Sequence, residues 1–295
     1  MELWLILAIL TGIFFGVQSI LLKVLTKSFD QTIILKNLFL IAGILLFPAI
    51  FFSQPQLEWR PFLGTFFVSL VLNTIAYHFL LQAITNYPVS IVMPYVGLTP
   101  LFLTLTSYLI LGETLTRVQI LGIGLIVFGA FILQLPPNWQ FKDWRRWINW
   151  REKGIWLMVL VAFIWSITAS VEKIAVKASS PEFYGAAIHL ALGGIFVIIE
   201  RWPLKQASKS LAVKNHNSKP KHKQFIILLG LISAALAWCQ LFAIKITYVS
   251  YVIAFKRAGV LVSVLLAFLI LKERNYLKAL TGTILIIIGA ALITL

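Results

Sequence analysis

Apolar residues run through this chain in long blocks, broken by short polar connections. A membrane-spanning helix needs about 20 mostly apolar residues. Ten such blocks can be marked: residues 3–22, 32–52, 62–84, 89–111, 118–135, 154–176, 183–202, 225–246, 247–271 and 278–295. The pattern predicts an all-α integral membrane protein of ten transmembrane helices. Most connections are a few residues long, and two are longer. Residues 136–153 carry Trp139, Trp144, Trp147 and Trp150 among basic residues, a composition suited to a linker lying at the headgroup level. Residues 203–223 contain KNHNSKPKHK and read as a solvated loop. The first block has no basic residues ahead of it and no small-residue cleavage site, so it reads as a retained span.

The blocks repeat. Residues 83–133 slide onto 243–293 without a gap, at a shift of 160. Ala83 then falls on Ala243, Val89-Ser90 on Val249-Ser250, Glu113 on Glu273, Gly122 on Gly282 and Gly129-Ala130 on Gly289-Ala290. A shorter match at a shift of 150 sets Phe15 on Trp165, Gln18 on Thr168, Lys23 on Lys173 and Lys27 on Lys177. The chain is therefore two halves of five helices each, 3–135 and 154–295, joined by the linker 136–153. Five is odd, so the halves lie upside down relative to one another. Inverted repeats are a recurring plan of secondary transporters, with the substrate held near the midplane between them. Glu113 and Glu273 fall at helix exits, where a carboxylate reaches water or favours the start of the next helix. Gly259, Ser263 and Ala267, and the paired glycines of blocks five and ten, allow close helix approach. Pro94 and Pro100 predict a kink in block four.

Composition agrees with this reading. Of 295 residues, 60% are hydrophobic and only 12% charged, and mean hydropathy is +0.93. The net charge of +15 would fit nucleic acid, but the basic residues lie mostly in the connections, as membrane topology requires. Nucleic acid is not an expected partner; the lipid bilayer and a small solute are. Five Lys or Arg lie on the side of the two termini: Arg60, Arg117, Lys173, Lys177 and Lys245. Eighteen lie on the other side. The count places the large loops in the cytoplasm and both termini outside.

The exception to the apolar rule is the block YVIAFKRAGVLVSVLLAFLILKE, residues 251–273, which carries Lys256 and Arg257. Each costs about 2.5–3.5 kcal/mol at the centre of a spanning helix on the insertion scale. Such a pair belongs in a protein interior or a water-filled cavity and marks a functional site. The two are about 100° apart on a helix, so they border one cavity without pointing the same way. Guanidinium and ammonium groups suit a carboxylate or phosphate; an internal ion pair or gate is the alternative, with Glu172 as the available acid. His78, Tyr95, Trp238 and Gln240 are further candidates for contact with a solute. His78 and His189 lack metal-site spacing to a second His or Cys, and no metal or cofactor is expected. No mid-membrane acid offers itself as a proton carrier, which favours exchange or facilitated transport. Paired catalytic carboxylates, an activated nucleophile and a phosphate-cradling loop are missing from the sequence, so enzyme activity is not expected.

Ten blocks, the half-chain repeat, LGE at 111–113, LKE at 271–273, FGVQSILLK at 15–23, WSITASVEK at 165–173 and glycine-rich blocks five and ten resemble the EamA-type drug/metabolite transporter superfamily. The resemblance implies solute transport by alternating access in a cell (inner) membrane. It also implies cytoplasmic termini, against the charge count. The ninth block further resembles that of plastid organic-phosphate translocators, which carry adjacent Lys and Arg there. Those proteins have a basic residue at the matching place in the first half, where this chain has Val96. The expected function is transport of an anionic metabolite. Alternatives are export of amino acids or amphiphilic compounds, and a non-transporting scaffold that binds partners through residues 203–223.

Overall fold

The computed structural model describes residues 2–26, 28–53, 57–86, 93–133, 153–201, 220–259, 262, 266 and 276–293. The linker expected at 136–153 therefore falls outside the described residues except for Lys153. Most of the basic loop 203–223, Ser263, Ala267 and Glu273 lie outside them too. Among the described residues the chain is helical, without strands.

In the first half, α1 is Leu3–Leu25 and α2 is Gln31–Leu46, extended by a 3-10 turn Phe47–Ala49 and one helical turn Ile50–Ser53. Helix α3 is Trp59–Asn86, α4 is Thr99–Leu111 and α5 is Arg117–Leu133. In the second half, α6 is Lys153–Lys177, α7 is Pro181–Arg201 and α8 is Pro220–Ile246. Helix α9 is Val249–Ala258 and α10 is Tyr276–Ile293. Among the described residues, stretches within α1, α2 with its extension, α3, α6, α7 and α8 are long and apolar enough to cross a membrane. Large apolar side chains such as Phe51, Phe52, Leu105, Leu109, Leu121 and Ile287 face outward, where lipid tails are as apolar as a protein core.

The kink expected at Pro94 and Pro100 takes the form of a change of helix type. Met93–Leu98 is a 3-10 segment, and α4 begins at Thr99 with Pro100 in its first turn. A proline there forfeits no hydrogen bond, because first-turn N–H groups have no intrahelical acceptor.

Several of the main contacts between the halves come in exchanged pairs. Helix α3 packs on α6, and its counterpart α8 packs on α1. Helix α4 meets α6, and α9 meets α1. Helices α5 and α10 pack on each other, as do α2 and α7. At the α5–α10 crossing a Cβ added to Gly129 would lie 2.6 Å from Gly282 O and 2.9 Å from Ile286. A Cβ added to its counterpart Gly289 would lie 2.5 Å from Gly122 O and 3.0 Å from Ile126. At the α2–α7 crossing, Gly43 faces Leu190 and Gly193 faces Leu40, again a swapped pair, at the shift of 150. These glycines are required by backbone approach, not by backbone conformation.

Candidate functional site

Helix α9 is held at its N-terminus by a residue from the other half. Gly112, at φ +68°, ends α4 in a left-handed turn, and its N–H donates to Tyr108 O at 3.0 Å. That turn places Glu113 beneath α9, where both carboxylate oxygens accept from Val249 N–H at 3.2 Å. Lys173 Nζ, at the end of α6, donates to Glu113 Oε1 and to Thr247 O, both at 2.6 Å. The side chains are 5% and 8% exposed. Helices α4, α6 and α9 are thus tied together at the end of the bundle shared by the chain termini. The sequence places Glu113 at a helix exit, free to favour the next helix. Instead it serves a helix more than a hundred residues further on.

From that anchor α9 descends past α1. The two backbones touch at Gly12 and Gly259: a Cβ on Gly12 would lie 2.6 Å from Phe255 O. Lys256 and Arg257 occupy the last turn of α9, where the carbonyl end of a helix favours positive charge.

Beside this turn lies a cavity of about 190 Å³. It is walled by α1, α2, α3, α6, α7, α8 and α9 together with Val96 and Thr99, while no described side chain of α5 or α10 borders it. The two cations meet different partners in its wall. Lys256 Nζ donates to Gln240 Oε1 on α8 at 2.7 Å. Arg257 Nη2 donates to Thr99 Oγ1 at 3.2 Å, at the residue where the 3-10 segment becomes α4. Arg257 is 3% exposed, and its Nε and Nη1 are buried without a hydrogen-bond partner. Its guanidinium carbon lies 5.0 Å from the ring centre of Phe15 and 5.2 Å from that of Trp165. These rings are the pair matched by the shift of 150. Lys256 Nζ is also over Phe15, at 5.7 Å.

Glu172 lines the same cavity but is not the ion-pair partner of either cation. Among the described residues no carboxylate lies within 4.0 Å of Lys256 or Arg257. Glu172 Oε1 instead accepts from Asn73 Nδ2 at 3.2 Å, and Tyr184, whose hydroxyl meets Ser69 Oγ at 2.7 Å, lines the same cavity. Gln18 Nε2 donates to Ser233 Oγ at 2.7 Å and Thr168 Oγ1 to Ile164 O at 2.9 Å; both residues border the space.

Of the residues singled out in the sequence, Lys256, Arg257, Gln240 and Glu172 come together here. His78, Tyr95 and Trp238 do not line the cavity. On α3 the inward face carries Asn73, Tyr77 and Leu80, and His78 is rotated 100° from Tyr77 onto an exposed face against Phe79. Trp238 is 37% exposed and packs on Phe242, turned away from the face of Ala237, Gln240 and Leu241. Tyr95 is 7% exposed in an apolar cluster with Val96, Met158 and Val161. The histidine that does line the cavity is His189. Gly185 O, 2.7 Å away, can only accept, so His189 Nδ1 carries the proton. Phe15, Trp165, Thr99, Asn73 and Tyr184 were not picked out as site residues. Their sequence signal is limited to the Phe15–Trp165 correspondence and to Asn73 lying one turn from Tyr77.

A profile of the EamA-like transporter family matches residues 2–135 and, a second time, residues 152–295. No curated protein matches the chain. A solved structure titled "Crystal structure of protein" shares the fold, with a TM-score of 0.77 at 15% identity over 99% of this chain and 97% of that one. The likeness to plastid organic-phosphate translocators rests on Lys256-Arg257 alone. The two profile matches meet between residues 135 and 152, the boundary that the internal repeat marks, and each holds one member of every swapped glycine contact: this multi-pass membrane protein belongs to the EamA-like transporter family.

Proposed function

We propose that the chain crosses a cell membrane ten times, as two inverted halves, and carries small organic anions by alternating access. Lys256 and Arg257 hold the anion together, and Gln240 and Thr99 orient them. The observation that carries this reading is Arg257, almost fully buried, with two unpartnered nitrogens and no carboxylate within ion-pair distance among the described residues. An unneutralised buried cation is strongly unfavourable, and an anion bound at the adjacent cavity relieves that cost. The charge count favours a cytoplasmic side for the large loops.

Flux in liposomes across a panel of metabolite anions tests the proposal. Wild-type protein carries at least one of them, and the Lys256→Ala/Arg257→Ala protein, folded and inserted, carries it at least tenfold more slowly. Equal flux in that variant, or selective transport of cations, overturns the reading.

Glu172 supports a second reading. It places one carboxylate in a cavity with two cations, a set suited to a zwitterion whose ammonium group meets Glu172, as in export of amino acids. Glu172→Gln separates the two. Anion flux survives that change, whereas amino-acid flux is lost.

A further inference from the structure

A carrier with no solute aboard still has to complete its cycle with Arg257 inside the protein. A bare guanidinium in an apolar interior opposes that step. In this structure the guanidinium is not bare. Phe15 and Trp165 lie 5.0 and 5.2 Å from it, and the negative face of an aromatic ring attracts a cation, most strongly when water is excluded. Both rings border the cavity. One comes from α1 and the other from its counterpart α6, so each half of the protein supplies one ring.

We infer that Phe15 and Trp165 are positioning residues that stand in for the anion at Arg257 when the site is empty, and that they make net transport feasible as well as one-for-one exchange. The inference rests on the anion reading above. Both rings lie within cation–π distance of the guanidinium, while its Nε and Nη1 have no hydrogen-bond partner. An incoming anion takes over as counter-charge at those nitrogens. When the anion leaves, the rings remain, and the unloaded carrier returns with its cation still partnered. Without them only the loaded carrier crosses readily, and the protein becomes an exchanger.

The test compares two modes of flux by the full-length protein in liposomes, with inorganic phosphate and succinate as probes. Net efflux is measured into buffer that contains no anion. Counterflow is measured with the same anion on both sides, so that the site is loaded in both directions. The variants are Phe15→Leu, Trp165→Leu and the conservative Trp165→Phe. Counterflow is read at saturating anion, and each leucine variant is expected to lower net efflux about tenfold more than it lowers counterflow, about 1.4 kcal/mol on the empty return step. Trp165→Phe keeps both modes. Retained counterflow also shows that the variant is folded and inserted. A leucine variant that slows both modes equally assigns the rings a packing role and overturns the inference, leaving the anion reading in place. So does a wild-type protein that exchanges but shows no net efflux. Failure of wild-type counterflow with both probes overturns the anion reading, and the inference with it.

Discussion

Replacing Glu113 with glutamine removes the charge that ties α4, α6 and α9 together. The side chain is 5% exposed, and its carboxylate serves two donors at once, Lys173 Nζ at 2.6 Å and Val249 N–H at 3.2 Å. Breaking a buried ion pair by neutralising one partner costs about 3–5 kcal/mol, because the other charge is left uncompensated. Two features set the value here. Lys173 keeps its bond to Thr247 O and borders a shallow pocket with Lys177 and Lys245, through which water reaches it. Both lower the cost towards 3 kcal/mol. The start of α9 then loses part of its capping interaction, about 1 kcal/mol for a typical cap. The sum is about 4 kcal/mol, with an amide at position 113 returning some of the cap. The assay is thermal or denaturant unfolding of the purified protein in one detergent, for Glu113→Gln, Lys173→Met and the double variant. The expected result is that each single variant is destabilised by about 3–4 kcal/mol and the double variant by clearly less than their sum. The double variant has no stranded charge, and a buried pair replaced by apolar groups is often neutral. Single variants within about 0.5 kcal/mol of wild type, the range of an ordinary surface substitution, would refute the claim that this pair is buried and structural.

The glycine contacts give a paired prediction. Gly129→Ala and Gly289→Ala each push a methyl group against a backbone carbonyl at 2.6 and 2.5 Å, so each destabilises by about 1–3 kcal/mol. Gly124→Ala on the same helix α5 meets nothing within 4 Å and is neutral or stabilising, since alanine is the better helix former; unfolding of the three variants checks this. In transport assays His78→Ala and Trp238→Leu stay within about twofold of wild type, because neither side chain borders the cavity. His189→Ala and Asn73→Ala, which alter its wall, change solute affinity or rate.

The repeat was legible because it is written in residue identities. Gly122, Gly129, Gly282 and Gly289 announce themselves at a constant shift, and the structure puts them face to face. Lys256 and Arg257 were legible because charge inside an apolar run is costly wherever the run folds. The direction a side chain faces was not. In water a helix shows its buried side as an apolar stripe. In a membrane the lipid side is just as apolar, and the stripe disappears. No apolar stripe therefore distinguishes His78 from His189, or Trp238 from Trp165. The partner of Glu113 was hidden for a different reason. The N-terminus that it caps belongs to a helix that is distant in the chain and near only because the halves interlock. Tyr184, Asn73 and Glu172 come from three helices, and no spacing rule links them.

The swapped glycine contacts bear on ancestry and on assembly. A surface on which position 122 meets 289 while 129 meets 282 is complementary to an upside-down copy of itself. Two separate five-helix chains of one sequence, inserted in opposite orientations, would find the same fit. Fusing them into one polypeptide removes the need for a population of both orientations. It also frees each copy to diverge, so that a cation pair can arise in one copy where the other keeps valine.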